Sequence, residues 1–118
     1  MPLLQINSTN KEIDQSTLSE LHLSGARILA EEIGKSTDYV MVIINPGKSM
    51  SFALDTESPC AYLEVKNVGT LTAEKTQRIS QLLTTLVTEK LGTVASRTYI
   101  EFQESDRHHW GWNGATFG

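Results

Sequence analysis

The sequence predicts an α+β fold, a four-stranded mixed sheet with two helices on one face, and three observations predict it. A strand-like run, a helical periodicity and a second strand-like run follow one another, and the same order then repeats. Each helical stretch ends at a glycine, Gly34 in the first half and Gly92 in the second. The pairs Glu31-Glu32-Ile33-Gly34 and Glu89-Lys90-Leu91-Gly92 carry the same residue types into that stop, as an internal repeat would.

Taken in order, Leu3, Leu4 and Ile6 lie in a short strand closed by the turn-forming Asn7-Ser8-Thr9-Asn10. From about Ser16, Leu18, Leu21, Leu29 and Ile33 recur at helical spacing, with Gly25 and Ala26 on the same side. Tyr39 to Ile44 is unbroken and β-rich, the pattern of a strand buried on both faces. In the second half Ala61-Tyr62-Leu63-Glu64-Val65 can be laid over Pro2-Leu3-Leu4-Gln5-Ile6. Thr72 is placed to cap the next helix, with Glu74 near its positive end. Ile79, Leu82, Leu83, Leu86, Val87 and Leu91 mark one face of that helix, and Tyr99 to Phe102 forms the last strand.

These units make one domain over residues 2–118, divided into pseudo-repeats of about 2–59 and 60–118. Two helices cover only one sheet face. The other carries apolar residues too, so a second copy of the chain is expected to cover it in a closed oligomer. Met50 to Leu54 and the aromatic tail Trp110 to Phe117 are candidates for short strands pairing between copies.

Composition narrows the function. The net charge is −4 and the ten basic residues are scattered, which argues against a nucleic-acid surface. A secretory leader is not expected, because Gln5, Asn7 and Ser8 interrupt the apolar start. The run Val40 to Ile44 is far short of the roughly 20 residues that span a bilayer. A cytoplasmic protein without membrane contact is the expectation. The lone cysteine, Cys60, cannot form an internal disulfide.

Met1-Pro2 is the sharpest chemical feature. A small second residue favours removal of the initiator methionine, and Pro2 would then present a secondary amine. An α-amino group ordinarily titrates at about 7.7–8.0, and burial with a nearby cation lowers that value. Such an amine is suited to take a proton from a carbon beside a carbonyl. Proline is also a common second residue with no chemistry attached.

The chain resembles the macrophage migration inhibitory factor family of the tautomerase superfamily. The resemblance rests on Met1-Pro2, Gly34-Lys35, Ser58-Pro59-Cys60-Ala61, Asn67-Val68-Gly69, Tyr99-Ile100, Gly111-Trp112-Asn113 and Thr116-Phe117, in that order over essentially the whole chain. It implies a homotrimer with sheets wrapped into a central barrel and active sites at subunit interfaces. It implies a cofactor-independent keto–enol tautomerase, acting on small aromatic α-keto acids such as phenylpyruvate, in which Pro2 is the base. Lys35 would lower the pKa of Pro2 and hold the substrate's carboxylate or enolate oxygen; its plain alternative is a solvated cation at a helix end. The resemblance also gives Val68 a backbone N–H on the substrate, and Tyr99 and the residue two further on a place in a neighbour's site. That residue is Glu101 where the family commonly has asparagine, and Trp110 stands where a small aliphatic residue is familiar. Both departures bear on specificity.

Other readings remain in view. A hydratase or dehalogenase of the same superfamily would use a carboxylate such as Glu101 to activate water, but it wants substrate-gripping arginines, and the third strand offers only Lys66. A signalling protein with residual tautomerase activity, exported without a signal peptide, is the non-enzymatic alternative. Thiol–disulfide chemistry is not expected, since Cys60-Ala61-Tyr62-Leu63 lacks a second thiol. No metal is expected either: His108 and His109, being adjacent, should point opposite ways with no third ligand nearby, and His22 should lie on a helix surface.

Overall fold

The structure, a computed structural model, describes residues 1–118. Its strands are β1 (Leu3–Ser8), β2 (Met41–Asn45), β3 (Ala61–Val68) and β4 (Thr98–Ser105), and its helices are α1 (Gln15–Ile33) and α2 (Ala73–Leu91). The sheet order is β2-β1-β3-β4. β1 runs parallel to β2 and β3 parallel to β4, while β1 and β3 meet antiparallel at the centre. Each half is therefore a βαβ unit, and the halves join through their first strands.

Local chemistry sets the helix limits. The Asp14 carboxylate accepts from Thr17 N–H at 2.7 Å at the start of α1, a bond that also holds its pKa below the usual carboxylate value. Thr72 Oγ1 accepts from Lys75 N–H at 3.2 Å at the start of α2. Gly34 (φ 78°) and Gly92 (φ 73°) end the helices in the left-handed conformation that a side chain would resist. Arg78 pairs with Glu32 and Lys90 with Glu20, so the start of one helix faces the end of the other.

The core lies between helices and sheet. Leu4 and Ile6 of β1 and Leu63 and Val65 of β3 meet Leu21, Leu29 and Ile33 of α1 and Ile79, Leu83, Val87 and Leu91 of α2. Complete burial of each such side chain contributes about 1.5–3 kcal/mol. Gly25 lets α1 approach the sheet closely, because a Cβ there would stand 2.8 Å from Leu4 Cδ2.

Several expectations are corrected. The strand expected over Tyr39–Ile44 begins only at Met41, since Thr37–Tyr39 is a 3₁₀ turn. It is also not buried on both faces: it is an edge strand, with Met41 62% and Ile43 37% exposed on the face away from the helices. β1, β3 and β4 run two to three residues further than their apolar cores, because pairing with neighbours carries polar residues along. Met50–Leu54 forms no extended strand, only a tight turn with one bridge between Phe52 and Asp55. The tail does form short strands, β5 (Gly111–Trp112) and β6 (Ala115–Thr116), which within one chain pair as a hairpin around Asn113-Gly114.

The open sheet face is mixed in character. Leu3, Met41, Ile43, Tyr62, Val68 and Tyr99 share it with Gln5, Asn7, Glu64, Lys66, Glu101 and Gln103, as the strand registers require.

Candidate active site

The chain start is drawn into the sheet. Met41 N–H donates to the Pro2 carbonyl at 3.2 Å, extending the β1–β2 ladder by one residue, and the Pro2 ring is fully buried. Two clefts meet at Met1. One, of about 420 Å³, is lined by Met1, Lys35, Ser36, Tyr39, Val68, Gly69, Arg107 and Phe117. The other, of about 400 Å³, includes Met1, Pro2, Tyr39, Met41, Trp110 and Trp112 in its wall.

Lys35 is held, not free. Gly34 ends α1 in the left-handed conformation, so the next residue turns back toward the sheet. There Lys35 Nζ donates to Asn67 Oδ1 at 3.0 Å and to the Val68 carbonyl at 2.9 Å. Asn67 alternates with Leu63 and Val65 on the helix-facing side of β3 and is 1% exposed. A buried amide needs a partner, and the lysine supplies it.

The electrostatic result appears at the chain start. The Met1 amine is lowered from 8.0 to about 5, first by burial and then by the Lys35 ammonium beside it. An amine placed here is neutral at neutral pH.

The tail encloses the site with aromatic rings. The hairpin sets Trp112 edge-on to Tyr39 at 5.8 Å and stacks it on Phe117 at 6.3 Å. Arg107 Nε donates to the Phe117 carbonyl at 2.9 Å and fixes the last turn.

Of the residues singled out in the sequence, one chain thus gathers Pro2, Lys35, Val68 and Trp110 around the two clefts. Tyr99 and Glu101 are elsewhere. Leu3 pairs with Lys66 and Lys66 with Gln103, so Tyr99 lies four residues down β4 from the level of Leu3. That is roughly 13 Å along the strands and roughly 10 Å across two strand spacings. Tyr99 is 65% exposed, with Phe52 edge-on at 5.1 Å. Glu101 accepts from Gln103 Nε2 at 2.7 Å and from the Tyr62 hydroxyl at 3.5 Å.

Sequence reasoning missed Asn67 as the anchor of Lys35, although a polar residue at a helix-facing position among apolar ones was a signal. It missed Tyr39, Ser36 and Arg107, whose placement follows from chain reversals that no periodicity encodes. It also misplaced the histidines. Arg107–His109 is a 3₁₀ turn, not an extended segment, so His108 and His109 lie together with centroids 3.9 Å apart, and Asp106 stands beside them. Cys60 is a buried free thiol and His22 is exposed.

Two βαβ units joined through antiparallel first strands into one four-stranded sheet define a class of small α+β proteins, and comparison with known proteins places the chain within it. The family model described as macrophage migration inhibitory factor (MIF) matches residues 1–118. The macrophage migration inhibitory factor of Xenopus tropicalis is 31% identical over 111 residues, 94% of this chain and 92% of that protein. The Brugia malayi homologue is 30% identical over 119 residues and all of both chains. Among solved structures, the homologue from Prochlorococcus marinus is 38% identical with a TM-score of 0.88, covering 98% of this chain and 99% of that one. The chain belongs to the macrophage migration inhibitory factor family. No helix in it is long and apolar enough to cross a membrane.

Proposed function

We propose that this chain is a cofactor-independent keto–enol tautomerase acting on small aromatic α-keto acids such as phenylpyruvate, with Pro2 as general base once Met1 has been removed. The observation that carries the reading is the amine environment: burial and Lys35 push the amine of Met1 down to about 5. Pro2 is one residue further in and fully buried, so an amine on it meets the burial in full, and Lys35 acts on the residue joined to it.

The proposed reaction is a proton relocation. The neutral Pro2 nitrogen takes a proton from the carbon next to the keto group, and the electron pair moves onto the carbonyl oxygen. The Lys35 ammonium stabilises that oxygen or the carboxylate next to it. The proton then returns to the enolate oxygen, and the reverse sequence restores the keto form. The Val68 backbone N–H is proposed to help hold the substrate. Trp110, Trp112, Tyr39 and Phe117 supply apolar surface for an aromatic ring.

The working form is proposed to be a homotrimer. Tyr99 and Glu101 lie too far from Pro2 to serve the site of their own chain, and a neighbour's strand would bring them to it. The protein is proposed to work in the cytoplasm, without nucleic acid or membrane partners.

The test is an enol-ketonase assay with phenylpyruvate on processed protein, on protein retaining Met1, and on Pro2→Gly. Activity confined to the processed wild type supports the reading, because an amide nitrogen is no base. Full activity with Met1 retained excludes Pro2. No activity in any form favours the signalling role suggested by the relatives' name.

A further inference from the structure

The turn between β4 and the terminal hairpin carries side chains that proton transfer does not use. Asp106, His108 and His109 are exposed, and one potential ligand atom from each lies within 4.8 Å of the others. The imidazole planes are tilted by 46° at a centroid separation of 3.9 Å, so the rings converge instead of diverging. Their backbone is pinned on both sides. His109 N–H donates to the Asp106 carbonyl at 2.9 Å, and Phe117 N–H donates to the Arg107 carbonyl at 3.2 Å. Arg107 returns the second link through its Nε to the Phe117 carbonyl at 2.9 Å.

We propose that Asp106, His108 and His109 form a binding site for a divalent transition-metal ion of the Zn²⁺, Ni²⁺ and Cu²⁺ group. Two imidazoles and one carboxylate are a donor set that these ions accept, whereas Mg²⁺ and Ca²⁺ require mostly oxygen ligands. Ligand atoms around a zinc ion lie about 2.0–2.2 Å from the metal, hence roughly 3.3 Å from one another. Side-chain rotation closes the observed spread to that value, since all three residues are exposed and the pinned backbone need not move. Water completes the coordination. Exposure also leaves the ligands without buried supporting partners, so micromolar binding is expected, not the tighter binding of an enclosed centre.

The site stands at the rim of the clefts without sharing a residue with their chemistry. Arg107 and Trp110 bracket the two histidines in sequence and line one cleft each. Trp110, next to His109, therefore reports occupancy by its fluorescence.

The experiment uses untagged full-length protein titrated with NiCl₂ or CuCl₂ under tryptophan fluorescence, and with ZnCl₂ by calorimetry. Saturable binding of one ion per chain is expected, with quenching by the paramagnetic ions. His108→Asn and His109→Asn should each weaken binding at least about tenfold, and Asp106→Asn less. The third histidine in the chain is the internal control, and His22→Asn should change nothing. Binding that survives both turn variants, binding that disappears with His22→Asn, or no saturation by millimolar metal would each overturn the assignment. None of these outcomes depends on tautomerase activity, so the site stands or falls apart from the proposed reaction.

Discussion

Glu64 of β3 and Glu101 of β4 stand directly opposite each other on the open sheet face, and the Tyr62 hydroxyl lies between them, 3.0 Å from one carboxylate and 3.5 Å from the other. Like charges facing across a strand pair repel. The pair persists because Tyr62, Lys66 (3.7 Å from Glu64) and Gln103 each hold a carboxylate oxygen. Burial, followed by the two carboxylates, pushes the Tyr62 phenol up to about 12.

Removing the bridge exposes the repulsion. Tyr62→Phe should lower stability by about 1 kcal/mol at pH 7, the net worth of one such hydrogen bond. The deficit should shrink near pH 4, where carboxylates become neutral. In the wild type the raised phenol works in the other direction. Its contribution is full below pH 10 and is lost as pH rises through about 12, because the unfolded chain releases that proton first. Urea titrations at three pH values check both statements.

Glu101 also bears on the proposed reaction. If a neighbour's site includes it, its charge opposes a substrate carboxylate, and an exposed pair of charges is worth up to about 1 kcal/mol, or roughly fivefold. Glu101→Asn should raise kcat/KM for phenylpyruvate by up to that factor and leave an uncharged ester analogue nearly unchanged. Equal changes for both substrates would show that Glu101 does not sense the carboxylate.

Legibility in the sequence followed the range of the forces involved. Both helices could be read because their apolar residues keep one face and Asp14, Thr72, Gly34 and Gly92 act within a turn of the chain. The mixed sheet followed from the repeated order. β2 was misread because edge strands and central strands share an apolar composition, and only the partner arrangement separates them. In the site, Pro2 and Lys35 were marked by their resemblance to a family pattern. The Lys35–Asn67 contact spans 32 positions and depends on how α1 returns to the sheet. The histidine pair depended on one 3₁₀ turn with no periodic signature.

Arg97 fastens the loop before β3 to the start of β4. Its guanidinium donates to the carbonyls of Pro59 (3.0 Å), Phe52 (3.1 Å), Asp55 (3.2 Å) and Ser58 (3.0 Å), and it lies 5.5 Å from the centre of the Phe52 ring. Phe52 in turn meets Tyr99. Arg97→Ala should cost about 2–3 kcal/mol, since four carbonyls lose a charged donor. Arg97→Lys should recover little, because an ammonium cannot reproduce the planar fork. Thermal unfolding of the three proteins decides this.

The same loop contains strain that can be relieved. Ala53 (φ 54°) and Leu54 (φ 66°) both adopt the left-handed conformation without being glycine, and the Leu54 side chain is 99% exposed. A side chain in that conformation costs roughly 1–2 kcal/mol. Leu54→Gly should therefore stabilise the fold by up to about 1 kcal/mol, the gain being reduced by the added freedom of the unfolded chain. A lower melting temperature would show that the exposed leucine has a partner in the assembled protein.

Lys35 offers the closest test of the proposed site. Burial comes first in lowering the amine at the chain start to about 5, and Lys35 supplies the remaining causes. Removing the ammonium therefore returns the amine only part of the way toward 8.0. With Pro2 as the proposed base of the processed protein, the acidic limb of the rate profile should fall well below pH 8, because the base is active when neutral. Lys35→Ala should shift that limb to higher pH and reduce kcat/KM for a carboxylate substrate more than for its ester. Stability carries the complementary sign in protein retaining Met1. The unfolded amine binds its proton near pH 8 and the folded one only near 5, so folding weakens as pH falls between those values. Lys35→Ala should reduce that slope. A rate profile that stays in place would leave Lys35 as an anchor for Asn67 and Val68, with no influence on the base.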